Sequence, residues 1–151
     1  MMITLANPVW RGACVLLVFL ACGCGRALAE DDCLGEAARY HKVNDVVLRA
    51  IAMQESGMRP RTQSRNANGT DDIGMMGINS VHLPMLARHG ISRGALLDAC
   101  INAYVAAWYL RGKILKHGNS WQAVGAYHSE TPALRDAYAQ RIRSRIAETR
   151  P

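Results

Sequence analysis

Of the 151 residues, Glu55 is the one best placed for acid–base chemistry. It lies near the end of the segment DVVLRAIAMQES, where Val47, Ile51 and Glu55 recur four apart and therefore share one helical face. A carboxylate on an apolar face loses hydration, and near a helix C-terminus it also meets the negative end of the helix dipole; both effects disfavour ionisation. A carboxyl that keeps its proton near neutral pH is what a general acid requires. The same spacing also suits an inert, hydrogen-bonded glutamate at the edge of a core, so the neighbouring segments have to decide between the two.

Downstream of Glu55 the chain turns polar over residues 61–72 (RTQSRNANGTDD) and then runs Asp72-Ile73-Gly74-Met75-Met76-Gly77-Ile78-Asn79. Glycines admit a ligand close to the backbone, and paired methionines either line a groove or fill a core. Asp71 and Asp72 follow Glu55 by 16 and 17 positions, respectively. A second carboxylate there could stabilise positive charge on a sugar, the division of labour that two-carboxylate glycosidases use. The other reading of both is turn chemistry, in which Asp bonds its own backbone; of the two, Asp72 is the candidate for function. Tyr127, in Ala126-Tyr127-His128-Ser129, offers a phenol that could face such a groove.

Other chemistries find less support. The run Asn66 to Asp72 carries oxygen ligands, but Gly69 comes too early for a calcium loop and no Glu closes it. His41, His82, His89, His117 and His128 form no H-E-x-x-H pattern, and no nucleophile elbow, phosphate loop or dinucleotide fingerprint occurs. Neither a metal nor a cofactor is expected.

The elements that must hold these residues read as short helices. Asn44 or Asp45 caps the helix that carries Glu55, and Gly57 and Pro60 stop it. A piece from His82 to His89 ends at Gly90, and Ser92 caps the turn after it. The longest helix is expected from Asp98 to His117, with Ile101, Val105, Trp108 and Leu115 on its stripe and Gly112 offering a point of close helix approach. Ser120 caps a helix that ends near Tyr127, and a last one spans Pro132 to Ala147 with Leu134, Tyr138, Ile142 and Ile146 at fourfold spacing. No two-residue alternation is long enough for a full strand. The expected fold is one domain, all-α or an α-dominant α+β. The basic residues Arg135, Arg141, Arg143 and Arg145 read as a solvated face with a mild preference for anionic surroundings.

At 50% hydrophobic residues the chain is too apolar to be disordered. The apolar run Ala13 to Ala21, behind Arg11 and ahead of Ala27-Leu28-Ala29, reads as the core of a secretory signal peptide spanning residues 1–29. An uncleaved membrane anchor needs about 20 apolar residues, which Gly23, Cys24, Gly25 and Arg26 interrupt. A lipid on Cys22 is a further alternative. Cleavage leaves a domain of residues 30–151, lowers the net charge from +6 to +4 through loss of Arg11 and Arg26, and reduces five cysteines to Cys33 and Cys100. An even pair in an exported protein is most simply one disulfide. A Cys/His nucleophile would need a free thiolate, which export disfavours.

In this order, Glu55-Ser56-Gly57, Ser64, Gly74 to Asn79 and Ala126 to Ser129 resemble the signature of the lysozyme-like lytic transglycosylases that cleave peptidoglycan. The size, the leader and the DIG-x-M-x-IN form are similar to the small transglycosylases that accompany type III secretion systems and conjugative pili. The resemblance covers residues 33–146 and implies a lysozyme-like fold with Glu55 as the sole essential acid/base. It further implies that Ser64, Met76, Asn79 and Tyr127 bind or support substrate and that Cys33 pairs with Cys100. Two departures stand out: Gly77 replaces the family's usual Gln, and His128-Ser129-Glu130 replaces Asn-Ser/Ala-Gly. The implied partners are peptidoglycan glycan strands, with components of a secretion system or pilus, in the periplasm or outside the cell. The implied reaction protonates the MurNAc–GlcNAc bond and closes a 1,6-anhydro ring. The alternatives are a muramidase-like hydrolase that uses Asp72, and a wall-binding assembly factor that has lost catalysis.

Overall fold

The structure, a computed structural model, describes residues 32–148. The expected signal peptide and the lipid alternative at Cys22 lie outside those residues. Asp32 caps the first helix, α1 (Cys33–His41), by accepting a hydrogen bond from the Gly35 amide at 3.2 Å. The same carboxylate receives Arg49 Nη2 from the second helix, α2 (Asp45–Ser56), on both of its oxygens. Arg49 also pairs with Asp45 in the first turn of α2. Asn44 caps α2 by accepting from Val47 N–H, and Gly57 ends it, the boundaries that the sequence implies.

Between α2 and the longest helix lie three short strands: β1 (Gln63–Arg65), β2 (Asp71–Ile73) and β3 (Ile78–Asn79), antiparallel in the order β1-β2-β3. Two or three residues cannot display a two-residue period, which is why the sequence shows no strand here. A 3₁₀ turn at Ser80–His82 leads into α3 (Leu83–Ala87), so the piece expected from His82 to His89 is shorter and starts in a tighter turn.

Asp98 caps α4 (Ala99–His117) by accepting from Ile101 N–H. Its buried face is not the expected stripe. Asn102, Ala103, Ala106, Ala107 and Leu110 are buried together with Val105, whereas Ile101, Trp108 and Leu115 are exposed. A helix that packs against α1 on one side and α5 (Trp121–Ala126) on the other approaches its neighbours through small side chains, so its largest apolar residues end up outside. Gly112 correspondingly faces open space. The close approach occurs instead at Gly125 of α5, where a Cβ would strike the Arg135 carbonyl of α6 (Pro132–Glu148). Within α6, Tyr138 and Ile142 are buried, while Leu134 is exposed.

The core joins both kinds of element. Leu48, Ile51, Leu110, Tyr138 and Ile142 from the helices are fully buried with Ile73 and Met76 from the sheet region, each contributing about 1.5–3 kcal/mol. The arginines of α6 stay at the surface and make contacts there: Arg141 lies over the Tyr138 ring, Arg143 over Trp121, Arg145 donates to Gln54 and Arg135 pairs with Asp136. Among the described residues no helix is long and apolar enough to cross a membrane.

Cys33 and Cys100 meet as a pair with Cα atoms 4.9 Å apart across 67 residues of sequence. In the oxidised protein, thiol labelling under denaturing, non-reducing conditions is expected to find neither cysteine free. Reduction is expected to lower stability by about 2–4 kcal/mol, the usual effect of opening a long loop; labelling of both cysteines before reduction would refute the bridge.

Candidate active site

A cleft of about 660 Å³ opens beside the sheet, with Glu55 in its wall and Asp72, Gly77, Asn79, Tyr127 and His128 around it. Glu55 is the penultimate residue of α2. Just beyond it Gly57 and Met58 both take left-handed backbone, φ 62° and 66°, and turn the chain away. Ser56 secures that turn: its Oγ donates to the Met75 carbonyl at 2.8 Å and accepts from Arg59 N–H at 3.0 Å. The end of α2 is thereby tied to the segment that carries Gly77.

Burial pushes the Glu55 carboxyl above its ordinary value of 4.5, and the nearby Asp72 charge adds to the rise. Two groups on α6 pull the other way, the Tyr138 hydroxyl, which donates to Oε1, and the Arg141 guanidinium. Tyr138 holds its own proton firmly because it is buried beside that carboxyl, so it remains a donor. His128 stacks on the Tyr138 ring, with centroids 4.9 Å apart and planes 4° from parallel. Burial, and next Arg141, hold the imidazole below its ordinary value.

The sheet register aligns three of the candidate residues. Ser64, Asp72 and Asn79 are cross-strand partners in one row on one face. Asn79 Nδ2 donates to Asp72 Oδ1 at 2.8 Å, which fixes the carboxylate in the cleft. Asp71, one residue away on the other face, pairs instead with Arg65 and Arg93 at 3.0 Å each. Ser64 is exposed on the outer strand, beside Asp72 but beyond the residues that line the cleft.

Met76 is placed differently from the sequence expectation. The Met76 side chain is fully buried in the core and so does not reach the cleft; the methionine pair fills space beneath the sheet. Tyr127 is largely buried but lines the cleft, and its hydroxyl donates to the Met76 carbonyl at 2.9 Å, bracing the cleft wall. Asn102 completes the brace. This buried amide accepts from Met76 N–H at 2.7 Å and donates to the carbonyls of Ile73 and Leu96, and Gly74 leaves the room it needs.

The facing lip of the cleft is built differently. Asn66 and Asn68 line it from the turn between β1 and β2, which is closed by its own bonds: Asn66 N–H to the Thr70 carbonyl, Gly69 N–H to the Asn66 carbonyl, and Thr70 N–H to Asn68 Oδ1.

Two residues of this arrangement leave only faint signals in the sequence. Tyr138 is legible only as one member of the α6 stripe, although a tyrosine at a core position must find a partner for its hydroxyl. Asn102 is a polar residue on an otherwise apolar helical face, a signal that a buried amide is holding backbone.

Compared with known proteins, the chain matches the family profile described as Transglycosylase SLT domain over residues 32–149. The chain belongs to the SLT transglycosylase family. Among the relatives of this SLT domain are Invasion protein IagB of Salmonella typhimurium, 39% identical over 118 residues that make up 78% of this chain and 74% of IagB. Protein IpgF of Shigella flexneri is 35% identical over 105 residues, 69% of each chain. X polypeptide of Escherichia coli is 39% identical over 99 residues, 65% of this chain and 59% of its own. The helix-dominated architecture of the SLT domain, with its small sheet beside the cleft, agrees with the lysozyme-like fold expected from the motifs.

Proposed function

We propose that this chain is an exported peptidoglycan lytic transglycosylase in which Glu55 performs both proton transfers. In the first step the neutral Glu55 carboxyl gives its proton to the glycosidic oxygen between MurNAc and GlcNAc. The C1–O bond breaks, and positive charge develops at C1 or is taken up by the sugar's acetamido group. In the second step the Glu55 carboxylate removes the proton from the same sugar's C6 hydroxyl, whose oxygen bonds to C1. The product is a 1,6-anhydro ring, no water is consumed, and the acid regains its proton. The observation that carries this reading is the half-buried carboxyl of Glu55, held above its ordinary pKa in a cleft wall with a phenol donor on one oxygen. Asn79 and Tyr127 support the site, the first by fixing Asp72 and the second by bracing the wall. Ser64 extends the polar row toward the glycan strand.

A second reading is favoured by one observation. Asp72 presents a carboxylate to the same cleft, where it would stabilise positive charge at C1 and allow water to compete with the C6 hydroxyl, leaving a reducing end. Mass spectrometry of fragments released from intact sacculi distinguishes the outcomes. Anhydro-muropeptides support the transglycosylase, reducing ends that disappear in Asp72→Asn support hydrolysis, and no release refutes both in favour of a wall-binding assembly factor.

Localisation and role form part of the proposal. Residues 1–29 serve as the leader, residues 30–151 as the exported domain, and the periplasm as its site of action. The likeness to IagB, named an invasion protein, and the resemblance to transglycosylases of secretion systems and pili support a local opening of the wall for such a machine. A net charge of +4 over residues 30–151 suits an anionic wall polymer.

Tyr138 offers an independent check. Its hydrogen bond lowers the Glu55 pKa, so Tyr138→Phe raises it. Activity depends on the protonated acid and is lost as pH climbs through that pKa. The alkaline limb of the pH–rate profile is therefore expected at higher pH in Tyr138→Phe, with kcat reduced about tenfold or more by the freer carboxyl. An unmoved limb would separate Tyr138 from the acid.

A further inference from the structure

Among the described residues, one apolar stripe of α4 is left uncovered. Ile101, Trp108 and Leu115 recur seven residues apart with Tyr104 and Gly112 between them, so all five fall on one side of the helix. Ile101, Trp108 and Leu115 are 39%, 45% and 71% exposed. Single exposed apolar residues are ordinary, but a contiguous row of them marks a surface that meets something. Beside the N-terminal half of the stripe lies a groove of about 510 Å³, walled by His41 of α1, Leu86 of α3, Ile91, and Tyr104 and Trp108 of α4. The exposed Tyr40 ring extends it, 5.7 Å from that of Tyr104. Past Trp108 the stripe runs over Gly112, where nothing lies within 4 Å of the Cβ position, a notch that lets a second backbone come close. Anchors at this spacing, over about 21 Å of helix, are the receiving half of a helix-in-groove contact.

We propose that this face is the docking site for an acidic amphipathic helix of another protein. The charges around it decide the occupant. Arg111 and Lys116 border the stripe on opposite sides, and Lys42 and Arg88 are chain neighbours of His41 and His89, which stand in the groove wall. No carboxylate lines the groove. The two nearest in sequence are engaged, Glu36 with Arg39 and Asp98 with the first turn of α4. Glu130 is shared among Lys113, Lys116 and His117, and among the described residues Lys42, Arg88 and Arg111 have no ion pair. A helix with carboxylates along both edges of its apolar stripe complements this border, whereas a second copy of the chain sets the same cations against one another. A bilayer surface reaches the rims but enters neither the groove nor the notch. The groove shares no lining residue with the cleft around Glu55, so a docked helix leaves that cleft open and fixes where the wall is cut. The inference gives the chemistry of the partner in the proposed role and does not depend on which residue is the acid.

The test titrates the purified protein, by calorimetry, with a synthetic helical peptide of about 20 residues that carries leucines on one stripe and glutamates along both edges. Binding is expected to be at least about tenfold tighter than for the same peptide with lysines in place of the glutamates, and to weaken with added salt. Trp108→Ala, Leu115→Glu and Gly112→Leu, which fills the notch, are each expected to weaken it about tenfold or more. Leu134→Ala, at an exposed apolar residue of α6, leaves it unchanged. These variants keep the wild-type rate of sacculus cleavage, because none of the four positions lines the cleft. If Trp108→Ala does not fold, Gly112→Leu decides, since its side chain is added into open space. Equal binding of the two peptides, or an affinity that Leu115→Glu and Gly112→Leu do not change, overturns the proposal. So does a dimer in sedimentation velocity that Leu115→Glu abolishes, which makes the occupant a second copy, or flotation with phosphatidylglycerol vesicles that it abolishes, which makes it a membrane. Failure of the peptide to bind leaves the reading of the acid standing, because that reading is judged on Glu55→Gln.

Discussion

Glu55→Gln is expected to bring the release of muropeptides from sacculi down to background, a loss of at least about 10³-fold. General acid–base groups contribute about 10²–10⁴-fold, and here one carboxyl serves both steps, so no second group replaces it. Glutamine keeps the shape and still offers an oxygen to the Tyr138 hydroxyl, which preserves the local packing. Stability is expected to change little or to rise at neutral pH. The folded Glu55 carboxyl has a pKa above the ordinary 4.5, so the folded state holds this proton longer than the unfolded chain does. Stability therefore falls as pH rises from about 4.5 through the raised folded value, and Glu55→Gln removes that fall. Thermal melts across pH, run beside the product analysis, check both statements. A variant that melts like the wild type and still releases fragments would refute Glu55 as the acid.

Much of this site can be read from the sequence because it depends on local signals. The cap at Asn44, the fourfold spacing of Val47, Ile51 and Glu55 and the stop at Gly57 position the acid without reference to any other part of the chain. The ends of α4, at Asp98 and Gly118, and the start of α5 after Ser120 are legible for the same reason. What cannot be read locally is decided by packing. The wrong face of α4 looks apolar because its large residues, Ile101, Trp108 and Leu115, stand outside, while alanines make the contacts. The helix α1 offers only Leu34, Ala37 and Ala38 as its apolar face, a signal too slight to announce an element. The partnership of Tyr138 with Glu55 crosses 83 residues and follows from no spacing rule. Met76 shows the limit most plainly, since a methionine in a motif beside a cleft can as easily be the floor beneath it.

Asn102→Ala is expected to destabilise the fold by about 3–5 kcal/mol. The amide serves three backbone groups, Met76 N–H and the carbonyls of Ile73 and Leu96, and the residue is fully buried. Truncation leaves those groups without partners in a region closed to water, at about 1–3 kcal/mol for each unpaired group, partly relieved by local relaxation. Urea unfolding should show the loss as a lower midpoint with an unchanged slope. A change below about 1 kcal/mol would mean that the backbone finds other partners.

The two lips of the cleft also differ in how they are attached, and this has a kinetic consequence. The Met76 amide is bonded to a buried side chain of α4 and can meet solvent only when the core itself opens. The amides of Gly69 and Thr70 are bonded only within their own exposed turn and can exchange by local fraying. Deuterium uptake should therefore divide the site into a slow wall at Met76 and a fast rim at residues 66–70. A glycan strand settling into the cleft would slow uptake at the rim and leave the wall unchanged.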